Sequence, residues 1–297
     1  MENYIPKGTL TAIVTPFKSD YSIDFDAYDR LLEYQINNHV DGIVVCGSTG
    51  ENPTLNQEEK IALILRAIEV SEGRVPIIAG TGSNDTYKTI EFSIIAKETG
   101  ADALLLVAPY YNKPTQKGMI AHFTAINDAV QIPQIIYNVP GRTGINMTAE
   151  TQIILANTCK NIVATKEASG DIHQIMKIVK DAPEKFVVLS GDDGITLPLI
   201  SAGVQGVISV FSNFAPYQMV KLVNFALEGN FDEARKLHYK YLKMIDLCFI
   251  ESNPVPAKAI LKLMGITDDA VRMPLLPISP ENLNILRNEL LNIGLIK

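Results

Sequence analysis

Eight short apolar runs recur along the chain, and a segment with helical periodicity follows each of them. The runs are spaced at intervals of roughly 20 to 33 residues, as expected when one helix follows each strand. Their apolar residues are continuous rather than alternating, which indicates strands that are covered on both faces and therefore parallel. The predicted strands are residues 10–14, 42–46, 75–79, 103–108, 134–137, 162–166, 186–190 and 206–210.

Eight strand–helix units in series form either a closed (β/α)₈ TIM barrel or a long doubly wound sheet. No Gly-x-Gly-x-x-Gly motif opens the first helix, so the dinucleotide-binding sheet loses its best support and we predict the barrel. Helix boundaries are also visible: residues 57–71 follow Thr54 and Asn56, and residues 85–99 begin at Asn84 or Asp85 and end at Gly100.

After the eighth strand, the sequence pattern predicts only helices, over residues 216–228, 231–248, 254–264 and 280–291. The first of these completes the barrel. We therefore predict a catalytic barrel over residues 1–229 and a C-terminal helical segment over residues 230–297, with a role in packing or assembly.

Composition narrows the class of protein. The net charge of -7 argues against nucleic-acid binding, which requires a basic face. No apolar run approaches the roughly 18 residues of a membrane helix, and the N-terminus shows no basic-then-apolar signal peptide. Cys46, Cys159 and Cys248 are scattered, which suits a reducing compartment. These features predict a cytoplasmic enzyme or binding protein.

The histidines predict no metal site. None of the four has the short spacing to another ligand that metal sites use, so we expect each to be exposed or capping. They are His39, His122, His173 and His238.

Lys166 lies in a strand-like run, with Ala164 and Ala168 on its own face. Burial disfavours a charged ammonium, and a neutral amine is the nucleophile that forms a Schiff base with a ketone. The alternative is that Lys166 occupies an outward position and extends its ammonium to solvent.

The predicted strand ends carry polar groups, and the chemistry of a barrel gathers there. Ser48 and Thr49 lie in a glycine turn after the second strand, where hydroxyls and backbone amides suit a small carboxylate, although such a turn also caps helices. The turns at 47–50 and 80–82 lack the lysine of a nucleotide P-loop.

Phenols and a guanidinium follow two later strands. Tyr110 and Tyr111 follow the fourth strand, as either interface aromatics or proton relays, and Tyr137 and Arg142 belong to the end of the fifth. An amine, phenols, hydroxyls and an arginine together suit carbonyl chemistry on small anionic substrates.

Five stretches resemble the dihydrodipicolinate synthase family of pyruvate-dependent class I aldolases, and the likeness covers essentially the whole chain. They are GSTGE at 47–51, PYYN at 109–112, YNVPGRTG at 137–144, KEASGD at 166–171 and SGDD at 190–193. The C-terminal stretch ESNPVPAK at 251–258 also resembles the pattern of this branch. The resemblance implies a lyase without a cofactor that condenses pyruvate with L-aspartate 4-semialdehyde in the diaminopimelate route to lysine. It also implies a homotetramer built as a dimer of dimers.

The resemblance implies a role for each matching position. Lys166 forms the imine with pyruvate, Tyr137 transfers protons through Ser48 and through Tyr111 of a neighbouring subunit, and Arg142 binds the carboxylate of the semialdehyde. Thr49 holds the pyruvate carboxylate in a pocket that Gly191 and the Ile208 backbone also line.

Two alternatives remain open at this point. One alternative is another pyruvate aldolase, an N-acetylneuraminate or 2-keto-3-deoxy sugar acid lyase. Position 48 is serine, as is common in the neuraminate lyase branch, whereas the synthases usually have threonine there, so we expect a looser relay. Arg142 favours the synthase, because the neuraminate lyase branch lacks that turn. A non-catalytic sensor of pyruvate or lysine is disfavoured because Lys166, Tyr137 and Tyr111 are all retained.

The resemblance also points to an inhibitor site. Lysine-inhibited members bind lysine at positions that align with Asn52, Pro53, Gln57, Asn84, Lys88 and Tyr110. Lys88 places a positive charge where the ammonium of the inhibitor needs an acidic partner, which costs affinity. We predict that these positions are not functional as an allosteric site and that feedback inhibition is weak or absent.

Overall fold

Eight parallel strands close into one barrel in the computed structural model, which describes residues 4–297. Neighbouring strands pair in sequence order, and β8 pairs with β1 to complete the ring. The strands are β1 (Gly8–Ala12), β2 (Gly42–Val45), β3 (Ile77–Gly80), β4 (Ala103–Val107), β5 (Gln134–Asn138), β6 (Ile162–Glu167), β7 (Val187–Ser190) and β8 (Gly206–Ser209). The predicted barrel is confirmed, with strand boundaries displaced by at most two residues.

Helices connect the strands and continue beyond the last one. They are α1 (Phe25–Asn37), α2 (Gln57–Ser71), α3 (Thr86–Thr99), α4 (Gln116–Ala129), α5 (Pro140–Thr143), α6 (Ala149–Thr158), α7 (Ile172–Asp181), α8 (Thr196–Ser201), α9 (Pro216–Leu227), α10 (Phe231–Leu247), α11 (Val255–Leu263) and α12 (Pro280–Ile293). Asn56 and Glu59 form a reciprocal capping box at the start of α2, and Asp85 caps α3.

Strand alternation separates an inner core from an outer one. Inward residues such as Val44, Leu105 and Ile135 fill the barrel, whereas a larger cluster packs between strands and helices. On β6 the hydroxyl of Thr165 donates to Gln152 in α6, so this position faces the helices. Lys166 therefore faces the barrel, and its 5% exposure shows that the outward, solvent-reaching alternative is wrong.

The C-terminal helices pack against the barrel and against one another. α10 lies on α9, α12 contacts α10 and α11, and one hydrophobic cluster includes residues from both parts of the chain. The predicted boundary at 229/230 falls in the turn between α9 and α10, where Gly229 has φ +79°. The division into two domains stays a prediction. Residues 1–3, which belong to the predicted barrel domain and to the stretch used to argue against a signal peptide, lie outside the described residues.

The prediction for the histidines is wrong at two of the four positions. His122 and His238 are buried on the inner faces of α4 and α10, whereas His39 and His173 are exposed. Desolvation lowers the pKa of His122 to about 4, so its ring is neutral and pairs through Nδ1 with the Thr86 hydroxyl at 2.8 Å. Between residues 4 and 297 no cluster of three or more His, Cys, Asp or Glu side chains suits a metal ion, and no helix has the length and apolarity to cross a bilayer.

Candidate active site

Lys166 and Tyr137 form the centre of the site. The two residues are register partners on the adjacent strands β5 and β6, and both side chains face the barrel interior. Lys166 Nζ lies 4.4 Å from the centroid of the Tyr137 ring. Each residue is almost at the carboxyl end of its strand, which is the end where barrels carry their chemistry.

Burial changes the protonation of Lys166. Desolvation lowers its pKa from 10.5 to about 8, the buried carboxylate of Asp193 opposes the change, and the charge of Arg142 reinforces it. At pH 7 a pKa of about 8 leaves roughly one amine in ten neutral, whereas the usual value leaves roughly one in 3,000. The strand position thus supplies a neutral amine near physiological pH.

Tyr137 stays protonated in the same environment. Burial raises the pKa of its phenol to about 12, against the opposing effects of Arg142 and of a hydrogen bond with the Ser48 side chain. A neutral phenol that is hydrogen-bonded to a hydroxyl can both donate and accept a proton. Ser48 is partly exposed and connects this pair to the cavity.

A cavity of about 340 Å³ opens onto the amine. Its lining includes the predicted residues Ser48, Thr49, Tyr137, Arg142, Lys166 and Gly191. An adjoining cavity of about 380 Å³, called the outer cavity below, shares Ser48, Tyr137 and Arg142 and extends to Pro274 and Leu275. Hydroxyl and guanidinium groups that line the same cavity are suited to small substrates with carboxylates.

Asn253 connects the two predicted carboxylate-binding positions, and sequence reasoning gave it no role. Its Nδ2 donates to Thr49 Oγ1 at 2.9 Å, and its backbone oxygen accepts from Arg142 Nη2 at 3.4 Å. Its Oδ1 is buried with no protein partner, and the residue lines both cavities. The only available signal was its place in the 251–258 stretch, which contributed to the family resemblance without a role for this residue.

Gly191 leaves space for the lysine. A Cβ at this position would lie 2.6 Å from the Ala168 Cβ and 3.1 Å from the Lys166 Cε, so a larger residue would displace the amine. Ile208 is buried in the inner core beside Leu10 and is absent from the lining of either cavity. Its predicted contribution through the backbone stays a prediction.

Comparison with known proteins identifies the family. The dihydrodipicolinate synthetase family model matches residues 5–292. The 4-hydroxy-tetrahydrodipicolinate synthase of Geobacter metallireducens is 51% identical over 276 residues, which cover 93% of this chain and 94% of that protein. The chain belongs to the dihydrodipicolinate synthetase family.

The fold of this chain matches solved structures of the same family. The dihydrodipicolinate synthase of Aquifex aeolicus superposes with a TM-score of 0.96 at 44% identity, over 98% of this chain and 99% of that one. Another relative, 43% identical with a TM-score of 0.96 over 98% and 97% of the two chains, is a monomeric dihydrodipicolinate synthase variant. The predictions of family, barrel and aldolase-type lyase are confirmed, and so is the predicted 4-hydroxy-tetrahydrodipicolinate synthase activity.

Tyr111 is the one predicted catalytic residue that this dihydrodipicolinate synthetase family member does not bring to its own site. Its side chain is 88% exposed, its φ is +69°, and it lines neither cavity. A tyrosine with a left-handed backbone is uncommon. The neighbouring Tyr110 lines the outer cavity instead.

Three of the aligned inhibitor positions, Asn52, Pro53 and Tyr110, line the outer cavity. Asn52 Nδ2 donates to the backbone oxygens of Cys46 and Gly80, so its side-chain amide already connects the backbone after β2 to the end of β3. Asn84 Nδ2 donates to Tyr110 O at 3.2 Å. Lys88, in the first turn of α3, is exposed, and so are Gln57 and Pro53.

Two carboxylates behind the amine were also not predicted. Asp193 Oδ2 accepts from the amides of Val210 and Phe211 at 2.9 and 3.0 Å, which fixes the chain after β8. Glu167 accepts from Asn138 at 2.6 Å, and burial raises its pKa to about 7. Glu167 is the last residue of β6 and Asp193 lies three residues after β7, but position relative to a strand does not by itself show which groups a carboxylate contacts.

Proposed function

We propose that Lys166 is the Schiff-base lysine of a 4-hydroxy-tetrahydrodipicolinate synthase that condenses pyruvate with L-aspartate 4-semialdehyde. The observation that carries this proposal is the buried Lys166 amine, 4.4 Å from the Tyr137 ring centroid and open to a cavity lined by hydroxyls and an arginine. No resident cofactor is needed, because the protonated imine itself accepts electrons.

The first stage joins pyruvate to the enzyme. The neutral amine of Lys166 attacks the ketone carbon, water leaves, and a protonated imine forms. Thr49 binds the pyruvate carboxylate through its hydroxyl, which Asn253 orients by donating to Thr49 Oγ1. Gly191 leaves room for the tetrahedral intermediate beside the lysine.

The second stage forms the carbon–carbon bond. Loss of a methyl proton converts the imine into an enamine, whose carbon attacks the aldehyde, and the aldehyde oxygen takes up a proton. Tyr137 carries these protons, because its phenol stays protonated at neutral pH and is hydrogen-bonded to Ser48. Arg142, which lines the same cavity, binds the carboxylate of the semialdehyde.

The final stage closes the ring. The amino group contributed by the semialdehyde attacks the imine carbon, and the bond to Lys166 breaks, which frees the amine for another turnover. The product is the six-membered 4-hydroxy-tetrahydrodipicolinate ring.

We also place the active protein in a cytoplasmic homotetramer, a dimer of dimers in which Tyr111 completes the relay of its neighbour. The support is the position of Tyr111, whose exposed phenol lies outside the cavities of its own chain. A phenol held outward on a strained loop is suited to contact another subunit.

Borohydride trapping tests the imine directly. Wild-type protein incubated with pyruvate and borohydride should gain the mass of one reduced pyruvate adduct, which peptide mapping should locate at Lys166. Lys166→Met should gain none. An adduct at another lysine, or an unmodified wild-type protein, would show that the proposed chemistry is wrong.

A further inference from the structure

A second buried lysine, Lys258, takes no part in the steps above. It is fully buried on α11, and its Nζ donates to Glu51 Oε1 at 2.5 Å and to the backbone oxygen of Ala270 at 2.7 Å. The ammonium also lies 4.1 Å from the centroid of the Phe17 ring. A buried ammonium requires a counter-ion, and Glu51, itself 3% exposed, supplies it.

Glu51 closes the turn that carries Ser48 and Thr49. Its amide donates to Ser48 O at 3.1 Å, and its φ of +57° places it in the left-handed region. Its second carboxylate oxygen accepts from the Arg272 amide at 3.0 Å. Both oxygens of this carboxylate are therefore held by the C-terminal segment.

The same segment also holds the turn at Thr49. Asn253, which donates to the Thr49 hydroxyl, lies only five residues before Lys258 in the sequence. One short stretch of chain thus contacts the turn at Thr49 and again at Glu51. Any movement of α11 relative to the turn would move the Asn253 amide away from the hydroxyl that it orients.

Stability alone does not account for this pair. Replacing a buried ion pair with apolar residues of similar volume is often neutral or stabilising, because desolvation offsets the attraction between the charges. The desolvation of Lys258 outweighs the attraction of the Glu51 carboxylate and lowers the pKa of Lys258 to about 8. The contribution of the pair is instead geometric, because its short hydrogen bond fixes the position of α11 relative to the turn.

We propose that Glu51 and Lys258 are positioning residues that align the Thr49 hydroxyl with the carboxylate of the keto acid. This inference rests on the proposed function, in which Thr49 binds that carboxylate. It makes keto-acid affinity depend on a contact between the barrel and the C-terminal helices.

The double variant Glu51→Gln/Lys258→Met tests the proposal, because it removes both charges and leaves no unpaired ion. We expect the pyruvate concentration for half-maximal borohydride trapping to rise tenfold or more, with kcat within threefold of wild type. The matched control is Glu289→Gln/Lys243→Met, which removes an ion pair of 2.5 Å between α10 and α12 whose carboxylate is also buried. The control should saturate like wild type.

A double-mutant cycle with Thr49→Val separates positioning from a general structural effect. If the pair acts through the Thr49 hydroxyl, the valine should add little to the loss in the double variant, whereas independent effects would multiply. Multiplicative losses, or wild-type saturation in the double variant, would overturn the proposal. If the wild-type protein itself forms no adduct, the result contradicts the proposed function rather than the positioning role of the pair.

If the double variant does not fold, the single variant Glu51→Gln tests the proposal. Its amide keeps one acceptor for Lys258 but loses the second, which the Arg272 amide uses. We expect at least a threefold rise in the half-saturating pyruvate concentration, and no rise would overturn the proposal.

Discussion

Two buried lysines in this chain have depressed pKa values, and only their contacts tell them apart. Burial lowers the pKa of both Lys166 and Lys258 to about 8. Lys258 is within ion-pair distance of Glu51, whereas no carboxylate of the described residues is that close to Lys166. A lone buried amine facing a cavity is a nucleophile, and a paired one is a structural cation.

The pH dependence of imine formation follows from the lowered pKa of Lys166. The neutral fraction of the amine rises as pH rises through about 8, rather than through its usual value near 10.5. The initial rate of borohydride-trapped adduct formation at saturating pyruvate should therefore increase with pH and level off above about 9. Continued increase beyond pH 10 would show that the amine is not desolvated as described.

We predict that Arg142 determines the affinity for the second substrate. Its guanidinium lines the cavity, so its replacement removes a partner for a carboxylate. The replacement also removes the 3.4 Å hydrogen bond to the Asn253 backbone oxygen, but it leaves the Asn253 side chain, which donates to Thr49 Oγ1. We expect Arg142→Ala to raise the KM for the semialdehyde at least tenfold while the KM for pyruvate changes less than threefold. Equal effects on both constants in steady-state kinetics would contradict this role, and Arg142→Lys should recover only part of the loss because it lacks the planar fork.

At the scale of elements, the sequence predicts the strands and their polar ends but not what approaches from elsewhere in the chain. Continuous apolar runs locate β1 to β8 because each strand is covered on both faces. Lys166 and Tyr137 could be placed at the cavity because each lies near a strand end, and Thr49 because it lies in the turn after β2. Asn253 could not, because its contact with Thr49 joins residues 204 positions apart. The same limit explains His122, whose burial depends on how α4 packs against its neighbours.

We predict that Lys88, in the first turn of α3, determines the response to lysine. Lys88 is exposed there, close in sequence to Asn84, which hydrogen-bonds to Tyr110 O. Added lysine should leave the initial rate unchanged up to about 1 mM, because like charges repel. Lys88→Glu should increase sensitivity tenfold or more, and Lys88→Gln should have a smaller effect. Half-inhibition of the wild type below the millimolar range would contradict this prediction.

At the scale of the whole molecule, a single chain leaves the proposed proton relay incomplete. Tyr137 and Ser48 interact within one barrel, but Tyr111 is 88% exposed and lines neither cavity. The PYYN motif suggests the residue from sequence, yet the loop's left-handed φ of +69° at Tyr111 and its outward direction appear only in the folded chain. This position is the basis of the proposal that a second subunit supplies the hydroxyl.

Subunit mixing tests whether Tyr111 acts across an interface. Lys166→Met and Tyr111→Phe chains should each be nearly inactive as homomers, because one lacks the amine and the other the relay. In a randomly mixed population, half of the dimers contain one chain of each kind, and one of their two sites has a wild-type amine with a wild-type neighbouring phenol. Co-expression should therefore restore about a quarter of wild-type activity, provided that the tight dimer has two-fold symmetry. Activity no higher than the mean of the two homomers would mean that Tyr111 does not complete its neighbour's site.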